Sequence, residues 1–94
     1  MKLRYTRRAL ADIGEIHEYI AAENPAAARR VADELERVIG QLEKFPELGR
    51  IGRIEDTREL VVARYPYVVA YREHNDEVHI LSVIHSARAW PDSL

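Results

Sequence analysis

Apolar residues recur along this chain in two rhythms, one helical and one of strands, and the change of rhythm divides it near its middle. Lys2–Tyr5 alternates Leu3 and Tyr5 with charged residues, as a short half-buried strand does. Thr6 is a suitable N-cap for a helix beginning at the next residue, because its hydroxyl can accept an otherwise unpaired N–H of the first helical turn. Leu10, Ile13, Ile16 (or His17) and Ile20 then return at helical spacing, with most acidic residues off that stripe. Gly14 interrupts this helix, and the spacing predicts that something approaches closely there, a neighbouring helix being the simplest partner. Asn24-Pro25 starts a second helix, since asparagine caps well and proline is preset for the first helical position. Its stripe of Ala28, Val31, Leu35, Val38, Leu42 and Phe45 steps by threes and fours, the narrow seam of two antiparallel helices, and Pro46 and Gly49 end it.

The second half changes to strand composition. Leu60–Tyr65, Tyr67–Arg72 and Val78–His85 are rich in β-branched and aromatic residues. Pro66 separates the first two and His74-Asn75-Asp76 the last two, links too short for a parallel return. The C-terminal half is therefore a three-strand antiparallel meander, and Pro46–Asp56 reads as a connector from its proline, glycines and charges. The expected architecture is α+β, in the order β-α-α-β-β-β, with the helical hairpin on one face of a small, mainly antiparallel sheet. Residues 1–94 are expected to form one domain. Val61, Val62, Val68, Val69, Leu81, Val83 and Ile84 put apolar side chains on both sheet faces, whereas one hairpin covers one face. The other face is expected to be open for a partner.

Composition narrows the functional classes. With 47% hydrophobic and 32% charged residues and no cysteine, the chain has ordinary globular composition, no disulfide framework and no thiolate metal site. The opening KLRYTRRAL has no long apolar run, so neither a signal peptide nor a membrane anchor is expected, and a cytoplasmic location is. No glycine-rich phosphate loop, nucleophile elbow or metal-spaced histidine pair occurs, and no cofactor or metal is expected. The net charge is -2, with only two lysines, Lys2 and Lys44. Clustered cations drive binding to a phosphate backbone. The overall balance therefore argues against docking on RNA unaided.

The strings Gly52…Thr57–Val62, Tyr65–Arg72 and Val78–Pro91, with Trp90-Pro91 at the end, resemble the RelE/ParE superfamily of bacterial toxins, and the resemblance runs through essentially the whole length. It implies the same α+β architecture. It also implies a cognate antitoxin as partner, of the ParD-like ribbon-helix-helix kind, whose C-terminal segment folds over the toxin. Two activities are compatible with it: ParE-like inhibition of DNA gyrase by contact, or RelE-like cleavage of mRNA on the ribosome. In the RNA-cutting relatives a basic or acid–base residue follows the last strand, opposite an arginine from the preceding strands. By position, Arg64 matches that arginine, while His85 and Arg88 match the residues after the strand. Such chemistry needs a base for the 2′-hydroxyl, a cation for the phosphate and an acid for the leaving oxygen. The chain lacks the terminal tyrosine that many of those nucleases use. The commoner role for a residue placed like His85 is a hydrogen-bonded strand-end histidine, and for Arg88 half of an ion pair, since ion-pair networks often mimic sites. His17 and His74 read as surface residues and His79 as an outward strand residue. Arg58, Tyr67, Tyr71 and Trp90 are the expected partner-binding residues: tyrosines on a strand can serve as exposed stacking platforms, though core packing is their commoner use. A third reading, a non-toxic interaction module on the same fold, stays open at this point.

Overall fold

A computed structural model describes residues 1–94. The order is β1 (Lys2–Tyr5), α1 (Arg7–Ala21), α2 (Pro25–Gly40), β2 (Arg50–Ile51), β3 (Arg58–Val61), β4 (Tyr67–His74) and β5 (Glu77–His85). The strands form one sheet in the order β1-β5-β4-β3-β2, antiparallel except for the parallel β1–β5 pair. This is the expected α+β arrangement with one addition. Two residues of the predicted connector, Arg50 and Ile51, pair with Glu59 and Arg58 as an edge strand.

Both helix starts are explained by their caps. Thr6 Oγ1 accepts from Ala9 N–H at 3.1 Å and also donates to the Ile80 carbonyl at 3.0 Å, so one side chain starts α1 and ties it to β5. Asn24 Oδ1 accepts from Ala27 N–H at 3.0 Å, with Pro25 in the first turn. From α2, Val31, Leu35, Val38 and Ile39 enter the core with Ala9 of α1, while Ile13, Ile16 and Ile20 pack partly buried against it. Each fully buried aliphatic side chain contributes about 2 kcal/mol by removal from water. Three sequence expectations are corrected here. Phe45 is 61% exposed, because the backbone tightens into a 3₁₀ turn over Gln41–Glu43 and the helical step that aligned Phe45 with the seam is lost. Leu10 is 57% exposed and its neighbour Ala9 fills the core in its place. Gly14 faces open space, with nothing within 4 Å of where a Cβ would stand, so no neighbouring helix requires it.

The sheet presents Leu60, Val62, Tyr67, Val69, Tyr71, Val78, Ile80 and Val83 to the hairpin. Tyr71 pairs with Ile80 and Ala70 with Ser82, which leaves Leu81 as a bulge. The Asp12 carboxylate of α1 accepts from Ser82 Oγ at 2.5 Å and from Val83 N–H at 3.0 Å beside this bulge. The β4–β5 turn is the two-residue Asn75-Asp76, both with positive φ (50° and 60°), a conformation these residue types tolerate well. His74 consequently belongs to β4. Strand β3 stops at Val61, short of the predicted Tyr65, because Pro66 fixes a tight turn in which Tyr67 N–H donates to the Tyr65 carbonyl at 2.8 Å.

The reverse face of the sheet is largely covered, with Val61 at its β3 margin still 51% exposed. Val68, Ala70, Leu81 and Ile84 alternate with the hairpin-facing residues and are buried. Glu59, paired with Ala70, shares that face; it binds Arg53, whose guanidinium carbon lies 3.8 Å above the Trp90 ring. The connector and the C-terminal tail therefore meet on the face that the hairpin leaves bare. No helix is long and apolar enough to cross a membrane.

Candidate functional site

Where β4 begins and β5 ends, the sheet and the second half of α1 enclose a groove of about 390 Å³. Its floor is Tyr67 and Val83, and one wall is Ile16, Tyr19 and Ile20, with Tyr19 83% exposed. His85 and Arg88 line it from the β5 end, and Asp12 and Glu15 from α1. The His85 end is shaped by backbone bonds. Ser86 N–H donates to the Pro66 carbonyl at 2.8 Å, which joins the end of β5 to the β3–β4 turn, and Arg88 N–H closes a turn on the His85 carbonyl at 3.0 Å. His85 Nδ1 accepts from Ala87 N–H at 3.1 Å, the arrangement of the Nε2-protonated tautomer. The imidazole meets Tyr67 edge to face, with centroids 5.5 Å apart. Burial holds the Tyr67 phenol above its ordinary pKa, the charge of Arg88 opposing and Tyr19 adding to the rise.

The groove unites His85, Arg88 and Tyr67 but not Arg64. Arg64 is exposed on the β3–β4 turn. Its charge acts on Glu34 of α2, a carboxylate lowered first by hydrogen bonding from Arg37, at 2.9 and 2.7 Å, and to a lesser degree by Arg64. Arg64 thus does not line the groove that holds His85 and Arg88, although the turn that carries it is joined to the end of β5 through the Ser86–Pro66 bond.

The expected partner-binding residues are largely occupied within the chain. Tyr71 is 0% exposed; its hydroxyl accepts from Gly49 N–H and donates to the Pro46 carbonyl, both at 2.8 Å. A Cβ on Gly49 would stand 2.7 Å from that oxygen, so only glycine fits. The expectation that Tyr71 offers an open face is corrected: the alternation that pairs it with Tyr67 points both rings into the core. Arg58 Nη1 donates to the Gly49 carbonyl at 2.8 Å and holds the same connector. Trp90 is half-buried under Arg53, and its Nε1 is buried without a partner, while Arg8 donates to the Ser93 carbonyl at 3.0 Å further along the tail.

Sequence reasoning missed the centre of this second assembly. Glu59 is 3% exposed and receives Arg50 at 2.8 Å, the Arg53 N–H at 2.8 Å and the Arg53 side chain at 3.2 Å. Burial raises its carboxyl, but the bonds from Arg53 and Arg50 outweigh this and hold it below the usual glutamate value. The available signal was a lone acid among strand residues, with two arginines just upstream. Elsewhere Arg4 bonds Glu77 at 3.0 Å, as does His79 at 3.1 Å. No three His, Asp or Glu side chains come together in metal-binding geometry.

Comparison with known proteins places this arrangement. A family model described as the ParE toxin of the type II toxin–antitoxin system parDE matches residues 3–90. The chain is similar to the protein designated toxin Y4kP of Sinorhizobium fredii, 43% identical over 93 residues, covering 99% of this chain and 96% of that protein. It is 42% identical over 84 residues to toxin RelE2 of Caulobacter vibrioides, covering 89% and 93%. Among solved structures, the chromosomal ParDE toxin–antitoxin system of P. aeruginosa superposes with a TM-score of 0.83 at 25% identity, covering 90% of this chain and 95% of that one. The isolated E. coli RelE toxin shares the fold, with a TM-score of 0.67 at 16% identity over 94% and 86%. An apolar-cored sheet under a helical hairpin, with the family's motifs along its strands, accounts for each of these matches. The chain belongs to the RelE/ParE superfamily of toxins from type II toxin–antitoxin systems.

Proposed function

We propose that this toxin acts in the ParE-like manner, inhibiting DNA gyrase by contact in the cytoplasm, and that a cognate ParD-like antitoxin neutralises it. The carrying observation is that Arg64 does not line the groove that holds His85 and Arg88. Cleavage through a 2′-hydroxyl needs a base and a phosphate-binding cation on one reacting group. Here the groove that holds the imidazole also holds the carboxylates of Asp12 and Glu15, which repel a phosphate. Arg4, Arg37, Arg50 and Arg53 are each paired with an acid within the chain, which further limits a cationic track for RNA. An apolar floor beside an exposed tyrosine suits a protein surface better. The ParDE assembly of the similar P. aeruginosa system supports an antitoxin of that kind.

The test is to induce the protein in cells, map message ends and assay gyrase supercoiling side by side. The expected result is intact messages, reduced supercoiling and little change on His85→Ala, because no proton moves in an inhibitory contact. One feature favours the RelE-like alternative: His85, Arg88 and Tyr67 do share a groove. Message cleavage lost on His85→Ala, by the 10²–10⁴-fold typical of a positioned acid or base, with unimpaired gyrase, would overturn the proposal. A folded protein silent in both assays would favour a non-toxic interaction module.

A further inference from the structure

The groove between α1 and the β4–β5 pair holds polar groups that the chain itself leaves unused. Tyr67 is 8% exposed, yet its hydroxyl makes no hydrogen bond within the chain, whereas the Tyr71 hydroxyl on the same strand makes two. Burying a hydroxyl without a partner is costly, and the Tyr67 oxygen is not sealed away from the groove. Glu15 of α1 and Arg88 beyond the end of β5 also line the groove, and neither forms an ion pair in the chain. The Asp12 carboxylate is already engaged by Ser82 and Val83, so Glu15 is the free acid. On the rim stands Tyr19, 83% exposed, a residue type that anchors protein interfaces.

The surroundings limit what can enter. Strands β4 and β5 are interior and each is paired on both sides, so no strand edge is free here for main-chain pairing. An occupant must therefore enter by its side chains. Asp12, Glu15, Ile16, Tyr19 and Ile20 recur at helical spacing, so α1 shows one continuous face to the groove over about two turns. A second helix laid beside such a face can fit its ridges and grooves. Charge orients that helix, because the α1 wall is negative and the Arg88 end is positive.

We propose that this groove is where the toxin grips gyrase, and that it takes one face of a gyrase helix. An apolar side chain of that helix sits on Val83 and the Tyr67 ring, and a polar one bonds the Tyr67 hydroxyl. A lysine or arginine meets Glu15, a carboxylate meets Arg88, and Tyr19 packs along the flank. The assignment rests on the proposed function. His85 has no part in it: its Nδ1 is taken by Ala87 N–H and its ring lies against Tyr67, in keeping with the small effect expected of His85→Ala.

The experiment uses the full chain with purified gyrase and DNA. Tyr19→Ala, Arg88→Glu and Tyr67→Phe should raise the concentration that half-inhibits supercoiling by about thirtyfold, tenfold and threefold. Leu10→Ala, also exposed on α1 but outside the groove, should inhibit like the parent. All four should melt close to the parent, since three of these side chains are exposed and Tyr67→Phe keeps its ring. The chain has no cysteine, so Ala22→Cys, on the turn after Tyr19, and Leu10→Cys each give a single attachment point for a photoactivated crosslinker. Crosslinks are expected from position 22 alone, into a helix of gyrase. Groove variants that inhibit like the parent, equal crosslinking from both positions, or crosslinks confined to a loop or strand overturn the groove assignment and leave gyrase inhibition standing. A dimer of the free chain that Arg88→Glu dissociates also overturns it, because the occupant is then a second copy. A parent chain that leaves gyrase unimpaired sinks the proposed function itself, and the gyrase helix with it.

Discussion

Replacing Tyr71 by phenylalanine isolates what one oxygen contributes to this fold. The ring is fully buried and stays so in Tyr71→Phe, which keeps the apolar packing. Two bonds are lost, from Gly49 N–H and to the Pro46 carbonyl, both on the connector that leads from α2 into β2. The Gly49 bond is buried, and an orphaned buried donor costs about 1–3 kcal/mol. The Pro46 bond is only partly buried, so water can replace it at a cost of a few tenths. The expected loss is about 2 kcal/mol, a large share of the ~5–15 kcal/mol that holds a native domain together. For a domain of this size that lowers Tm by roughly 8–16 °C. Urea unfolding followed by circular dichroism is the assay, with an unchanged slope showing that only stability has moved. Tyr67→Phe is the control. Tyr67 lies on the same strand and is nearly as buried, but lacks such a pair of backbone partners, so its loss should stay under about 0.5 kcal/mol. Equal losses for the two substitutions, or a Tyr71→Phe protein as stable as the parent, would refute the assignment of the hydroxyl as the anchor of the connector.

Leu35→Ala, at a side chain 2% exposed in the hairpin seam, should cost about 2–5 kcal/mol in the same assay, and an unchanged urea midpoint would mean that the seam is misassigned. The acid limb should report Glu59: its folded pKa lies below the ordinary 4.5, so its contribution is complete above pH 4.5 and is lost as pH falls through the lower folded value. Trp90 fluorescence, sensitive to the Arg53 guanidinium above the ring, should track that loss. Glu59→Gln should flatten the acid limb and loosen the tail already at neutral pH; an identical acid limb in parent and variant would remove Glu59 as the clamp.

Much of the fold could be read from local patterns because its causes are local. Thr6 and Asn24-Pro25 cap helices through bonds to residues three positions on. The Asn75-Asp76 turn requires only a backbone that those residues tolerate. The alternation in β4 and β5 and the stripe from Ala28 to Leu42 each state which side is buried, and the family's motifs run along those same elements. Other features depend on residues distant in sequence. Alternation placed Tyr67 and Tyr71 on one face without saying that this face was the core, and Tyr71 became buried because the connector returns across it 22 residues away. Local pattern showed neither that Glu59 gathers Arg50 and Arg53 across the β2–β3 turn nor that Arg53 holds Trp90, a contact that forms only when the tail reaches this face. For the same reason the face expected to be open is largely covered, Val61 at its margin excepted. Arg64, His85 and Arg88 are brought to the same end of the sheet by strand order, yet only His85 and Arg88 line the groove beside α1, since hairpin placement sets which charges share a groove. Periodicity tells a residue's side of its own element, whereas a site depends on which elements stand beside one another.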